Sequence, residues 1–163
     1  MSETDQRPII GRKEQIGFIG LLLSAFSAPF TMAFLIGAIA DEFTNATRGE
    51  IGTIATLELF SISVLSIIVS RNIHRINMKI VFVVGVLVVA LGHLITIYSP
   101  NLEIVYIARI IAGIGSGIIV ATIMANVAKA QNAQMTFALI NSGVGAAGVL
   151  SVSYTHLRAH ETI

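Results

Sequence analysis

The sequence predicts an all-α, polytopic membrane protein with five transmembrane helices. Three observations predict it. The 163 residues are 55% hydrophobic and 12% charged, about half the charge of an ordinary soluble domain, and the mean hydropathy is +0.84. The charge-poor stretches recur at the length of ~20 residues that a helix needs to cross a ~30 Å hydrocarbon core. Lys and Arg gather on alternate connections between those stretches, the bias that sets orientation in a bilayer.

The same composition excludes other classes. So few polar residues cannot coat a compact soluble domain, and a disordered chain needs low hydrophobicity and high charge. The absence of cysteine removes disulfide frameworks, thiol catalysis and cysteine-based zinc sites. A net charge of +1 gives no global attraction to nucleic acid. The expected surroundings are a lipid bilayer, and no cofactor or metal site is expected.

Residues 1–14 read as a cytoplasmic tail carrying Arg7, Arg12 and Lys13. The first helix is expected over 15–40, too long for a signal-peptide core. Pro29 inside it removes a backbone hydrogen bond and predicts a kink. The second helix is expected over 51–70, with Glu58 as its one charge. The third is expected over 80–99, where Val81-Phe82-Val83-Val84 lacks the alternation of a membrane strand. The fourth is expected over 102–128, opened by Pro100, whose missing N–H is harmless at a helix start. Arg109 interrupts its apolar run. The fifth is expected over 134–152, completing a bundle over 15–152. Short connections make neighbouring helices antiparallel.

Arg71, Arg75, Lys79 and Lys129 lie on the side of the N-terminal tail, whereas the opposite loops hold Arg48 beside Asp41, Glu42, Glu50 and Glu103. The N-terminus is therefore expected in the cytoplasm, with 41–50 and 99–103 outside. The expected location is a bacterial inner (plasma) membrane.

Ionisable groups at membrane depth are candidate functional residues. At 1.5 Å per residue, Glu58 and Arg109 each lie ~10 Å below the outer face, and His93, on a helix rising from inside, falls in the same layer. Glu58 and Arg109 are expected to pair, because an unpaired charge in lipid is costly. Such a pair either pins two helices together or couples proton or substrate movement. His93 alone reads as a packing histidine.

Small residues are the second signal. Gly113 and Gly117 share one face of the fourth helix, and Gly115 lies on another, so that helix is thin on two sides. Ala138, Asn141, Gly145 and Gly148 line one face of the fifth. These faces suit close packing or passage of a substrate, and Asn141 is placed to cross-bond or to touch that substrate.

The run Arg109-x-x-x-Gly113-x-Gly115-x-Gly117 resembles the fourth-helix motif of the major facilitator superfamily. The loop between helices two and three also resembles that family's basic signature, Gly-x-x-x-Asp-Arg-x-Gly-x-Lys/Arg. Arg75 and Lys79 match it, while Ser70, His74 and Asn77 depart from it. The aspartate that serves the family's charge latch is missing here, and the fifth helix lacks the Gly-Pro motif of the drug antiporters. The resemblance covers roughly residues 10–152. It implies part of the N-terminal six-helix half of a major-facilitator fold, with helices one, four and five along the cavity. It also implies a secondary transporter moving a small molecule by alternating access, with proton or ion coupling, in which Arg109 assists proton movement. Glu58 and Asn141 come from their placement alone.

Twelve helices need far more chain than this, so a truncated, transport-incompetent fragment is expected. Residues 153–163 change character, and Ser153 to Thr162 resembles adapter-derived tails on truncated translations. That segment is expected to be non-native. His156 and His160 share a helical spacing but have no third ligand. The alternative is a small self-contained membrane protein that oligomerises into a scaffold or path. An integral membrane enzyme fits least, because the chain has no His/Asp metal cluster, no Gly-x-Ser-x-Gly and no pair of intramembrane acids.

Overall fold

The computed structural model describes residues 8–25, 27–75 and 77–161, with the side chains of 27–34, 74 and 151–161 outside the described residues. All regular structure among the described residues is helical: α1 (Arg12–Ala25), α2 (Ser27–Glu42), α3 (Arg48–Asn72), α4 (Met78–Ile97), α5 (Leu102–Ala128) and α6 (Ala133–Glu161), with a 3-10 turn over Ile73–Arg75.

Caps decide where these helices start. Thr47 accepts from Glu50 N at 3.3 Å while the Glu50 carboxylate accepts from Thr47 N at 2.7 Å. This reciprocal capping box satisfies two otherwise orphaned donors, so α3 begins at Arg48 rather than 51. Asn77 caps α4 through Lys79 N at 3.1 Å, which starts that helix at Met78 rather than 80. Tyr98 and Ser99 then turn ahead of Pro100, ending α4 at Ile97. Asn101 caps α5 through Ile104 N at 3.0 Å.

Four helices among the described residues are long and apolar enough to cross a membrane: α3, α4, α5 and the Ala133–Leu150 part of α6. The expected first span over 15–40 is instead described as α1 and α2 on either side of Phe26, and Phe26 lies outside the described residues. Neither piece alone reaches the ~20 residues that a crossing takes. Pro29 lies in α2, its side chain outside the described residues. The backbone of α6 continues past 152 to Glu161.

Several hydroxyls in these helices return to their own backbone. Ser61 donates to Leu57 O, Thr122 to Ile118 O and Thr96 to Gly92 O, at 2.7, 2.7 and 2.9 Å. Back-bonding of this kind lets a hydroxyl sit where no water can reach it.

The centre of the fold is α5, which packs along both α3 and α4. Glycine makes this possible. A Cβ at Gly113 would lie 2.5 Å from Glu58 O, and one at Gly117 would lie 2.7 Å from Ile62 O, both on α3. On the other side, a Cβ at Gly115 would lie 2.6 Å from Val89 N, and α4 returns the contact through Gly92, 2.6 Å from Ala112 N. Real side-chain atoms do not fit at such distances, so the backbones themselves touch.

Tyr106 OH donates to Glu50 O at 3.0 Å, and Asn126 Nδ2 meets Met78 Sδ at 3.2 Å. These contacts place the start of α5 beside the start of α3, and its end beside the start of α4. Ile80, Val83, Leu87, Leu91 and Leu94 form an exposed apolar stripe on α4, the inverse of a soluble helix and the form expected against lipid.

Candidate functional site

The three faces that meet around α5 carry the ionisable groups. Glu58 projects from α3 and Arg109 from α5, while His93 and Thr96, three apart on one face of α4, approach from the other side. Glu58 is 0% exposed and Arg109 1%. Arg109 Nη1 lies 3.5 Å from Glu58 Oε2. Arg109 Nη2 lies 3.2 Å from His93 Nδ1 and donates a short hydrogen bond to Thr96 Oγ1.

The chemistry of each group constrains the others. A guanidinium has five donors and no acceptor. Its contact with His93 Nδ1 is attractive only when that nitrogen presents a lone pair, which selects the neutral tautomer protonated on Nε2. Thr96 accepts from Arg109 and donates to Gly92 O at 2.9 Å, so its one proton is already committed. The arginine is thus held by two groups on α4 and faces a carboxylate on α3.

Glu58 is the less satisfied partner. Among the described residues neither of its oxygens has a hydrogen bond, and neither has Arg109 Nε. An ion pair without hydrogen bonds in a low-dielectric interior does not fully offset the desolvation of its charges. A carboxylate so placed is a natural acceptor for a proton. A metal ion is a poor fit, because it would sit against the guanidinium. No group of three His, Asp or Glu that suits a metal occurs among the described residues.

The structure therefore brings Glu58, Arg109 and His93 into one cluster and adds Thr96, which sequence reasoning missed. The available signal was its spacing of three from His93. Asn141 lies elsewhere, exposed on α6 and donating to Phe137 O at 2.8 Å. The small-residue face of α6, suited to close packing or to passage of a substrate, is largely open among the described residues. A Cβ at Gly145 would meet nothing within 4 Å, Ala138 is exposed, and Gly148 is only half-buried. The packed side carries Thr136, Ile140 and Gly143, where a Cβ would lie 3.1 Å from the Ile19 side chain of α1.

The loop residues lie apart from the cluster. Ser70 ends exposed on α3, Arg75 and Lys79 are exposed, and the His74 side chain is outside the described residues. Asn77 has a local role as the cap of α4.

A family model described as Major Facilitator Superfamily matches residues 17–155. No curated protein matches the chain, and no solved structure matches it.

Proposed function

The chain belongs to the major facilitator superfamily, and on that premise we propose that it forms part of a secondary transporter that moves a small molecule across a membrane by alternating access. The observation that carries this reading is the buried Arg109 set between Glu58 and the His93–Thr96 face. Ionisable side chains at membrane depth mark substrate or ion paths, and a pair lacking hydrogen bonds is one that can part.

In this reading Glu58 takes up and releases the coupling proton. Protonation removes the charge that attracts Nη1 and leaves Arg109 anchored on α4. Asn141 and the small-residue face of α6 point toward the substrate path, where a partner helix or substrate covers them. The first span is a crossing made of α1 and α2, which brings the count to five. The N-terminus lies in the cytoplasm of a bacterial cell, with 41–50 outside, following the charge bias.

Alternating access in this family uses two six-helix halves with substrate between them. Five spans provide part of one half, so the 163-residue chain alone does not transport. The reading frame of the source DNA past codon 152 tests this. Continuation through the remaining apolar spans of the second half supports the proposal. A stop codon there, with a stable oligomer in detergent, supports instead a self-contained membrane scaffold or path. Reporter fusions at Thr47 and Asn77 test orientation, and the opposite sidedness at both would overturn it.

A further inference from the structure

One cluster far from the arginine has no part in that reading. The segment Pro8–Gly11 lies across the α5–α6 connection. Gln131 N donates to Pro8 O at 2.9 Å. Two residues on, the Asn132 side chain grips Ile10 twice: Ile10 N donates to Asn132 Oδ1, and Asn132 Nδ2 donates to Ile10 O, both at 3.0 Å. A carboxamide has one acceptor and one donor side, so it pairs with a peptide unit as a neighbouring strand would.

The grip takes precedence over a local use for the same side chain. Asn132 O accepts from Thr136 N at 3.0 Å, which places Asn132 at the capping position of α6. An asparagine there ordinarily turns its side chain onto its own helix. Here its oxygen accepts from Ile10 instead.

The segment is anchored further. Ile10 is buried in the core cluster with Val127, Ala130 and Ile140. Gln15 Nε2, on α1, reaches both Ile10 O at 3.4 Å and the buried Thr136 Oγ1 of α6 at 3.2 Å.

This matters because, among the described residues, α6 has little else to hold it. It packs chiefly on α1 and touches α5 sparingly, and 11% of its spanning window is buried. We propose that Pro8–Gly11 is a latch that keeps α6 docked on α1, with Asn132 as its keeper. Releasing the latch frees α6 while leaving the α3–α4–α5 core intact. The inference stands on these contacts and does not depend on the transport reading.

The cysteine-free chain allows a direct test by maleimide labelling in detergent. A cysteine at Gly143→Cys faces Ile19 and is shielded while α6 is docked. One at Gly145→Cys meets nothing and serves as the control. Asn132→Ala removes both side-chain bonds to Ile10, so labelling at 143 should speed up about tenfold while the rate at 145 stays constant. Asn132→Asp keeps the acceptor and loses the donor, and Gln15→Ala loses the side-chain bonds to Ile10 O and Thr136 Oγ1. Each should give a smaller acceleration at 143. Where Asn132→Ala fails to fold, these two variants carry the test. Unchanged labelling at 143 in the variants that fold, or an equal rise at 145, overturns the latch.

Discussion

Two helices of similar length and similar small-residue content behave oppositely. In α5, 56% of the spanning window is buried, against 11% in α6. Both carry several glycines and alanines, yet among the described contacts α5 alone of the two uses its glycines to bring backbones together, on two sides. The difference lies in what each helix faces. The glycines of α5 meet glycine or carbonyl surfaces on α3 and α4. The corresponding face of α6 meets no described residue at Gly145. Small residues grant the capacity for close approach, and the neighbour decides whether it is used.

The contrast can be tested from its strongest point downward. Arg109→Met should be the most damaging change, because it strands the Glu58 carboxylate in the α3–α5 interface. Breaking a buried pair from one side costs about 3–5 kcal/mol. Loss of a monodisperse peak in detergent, or a collapse of the thermal midpoint, would read it. The double change Glu58→Arg with Arg109→Glu should restore part of that loss. No recovery at all would rule out a direct pair.

Gly115→Leu comes next. Its side chain would meet Val89 N and Gly85 O, backbone atoms that cannot rotate away, and overpacking of this kind costs about 1–3 kcal/mol or more. Thermal melting in one detergent should show a clear drop. A melt equal to that of the parent would mean that α4 and α5 do not touch as described.

Asn101→Ala, which removes the cap of α5, should cost about 1 kcal/mol. The same melting experiment reads it. Gly145→Ala should be the mildest. With nothing near the new methyl, only helix propensity acts, and the midpoint should hold or rise by up to about 1 kcal/mol equivalent. A large destabilisation there would show that the exposed face of α6 is an occupied interface within this chain.

Much of this was legible in the sequence, for physical reasons. Charge is so costly in hydrocarbon that its absence marks the helices, and its isolated presence marks Glu58 and Arg109. A fixed rise per residue placed those two and His93 in one layer without any structure. Thr96 was not legible, because a threonine in a membrane helix ordinarily satisfies itself on its own backbone, as Thr122 does. Helix starts were written in Thr47-x-x-Glu50, Asn77 and Asn101, but counting charges does not read caps. The packing side of α6 was not legible, since periodicity defines faces without naming neighbours. Nor was Asn132, whose partner Ile10 lies almost the whole chain away.

The backbone contacts of α5 have a mechanical consequence. Where these three helices touch through glycine, backbone meets backbone with no side chain between to slide or compress, and tightly packed interfaces shift between discrete arrangements rather than deform smoothly. Thus α3, α4 and α5 form a single stiff beam. Compliance is left to α6, lightly seated at its edge, so any slow bending of this molecule should be sought at that joint.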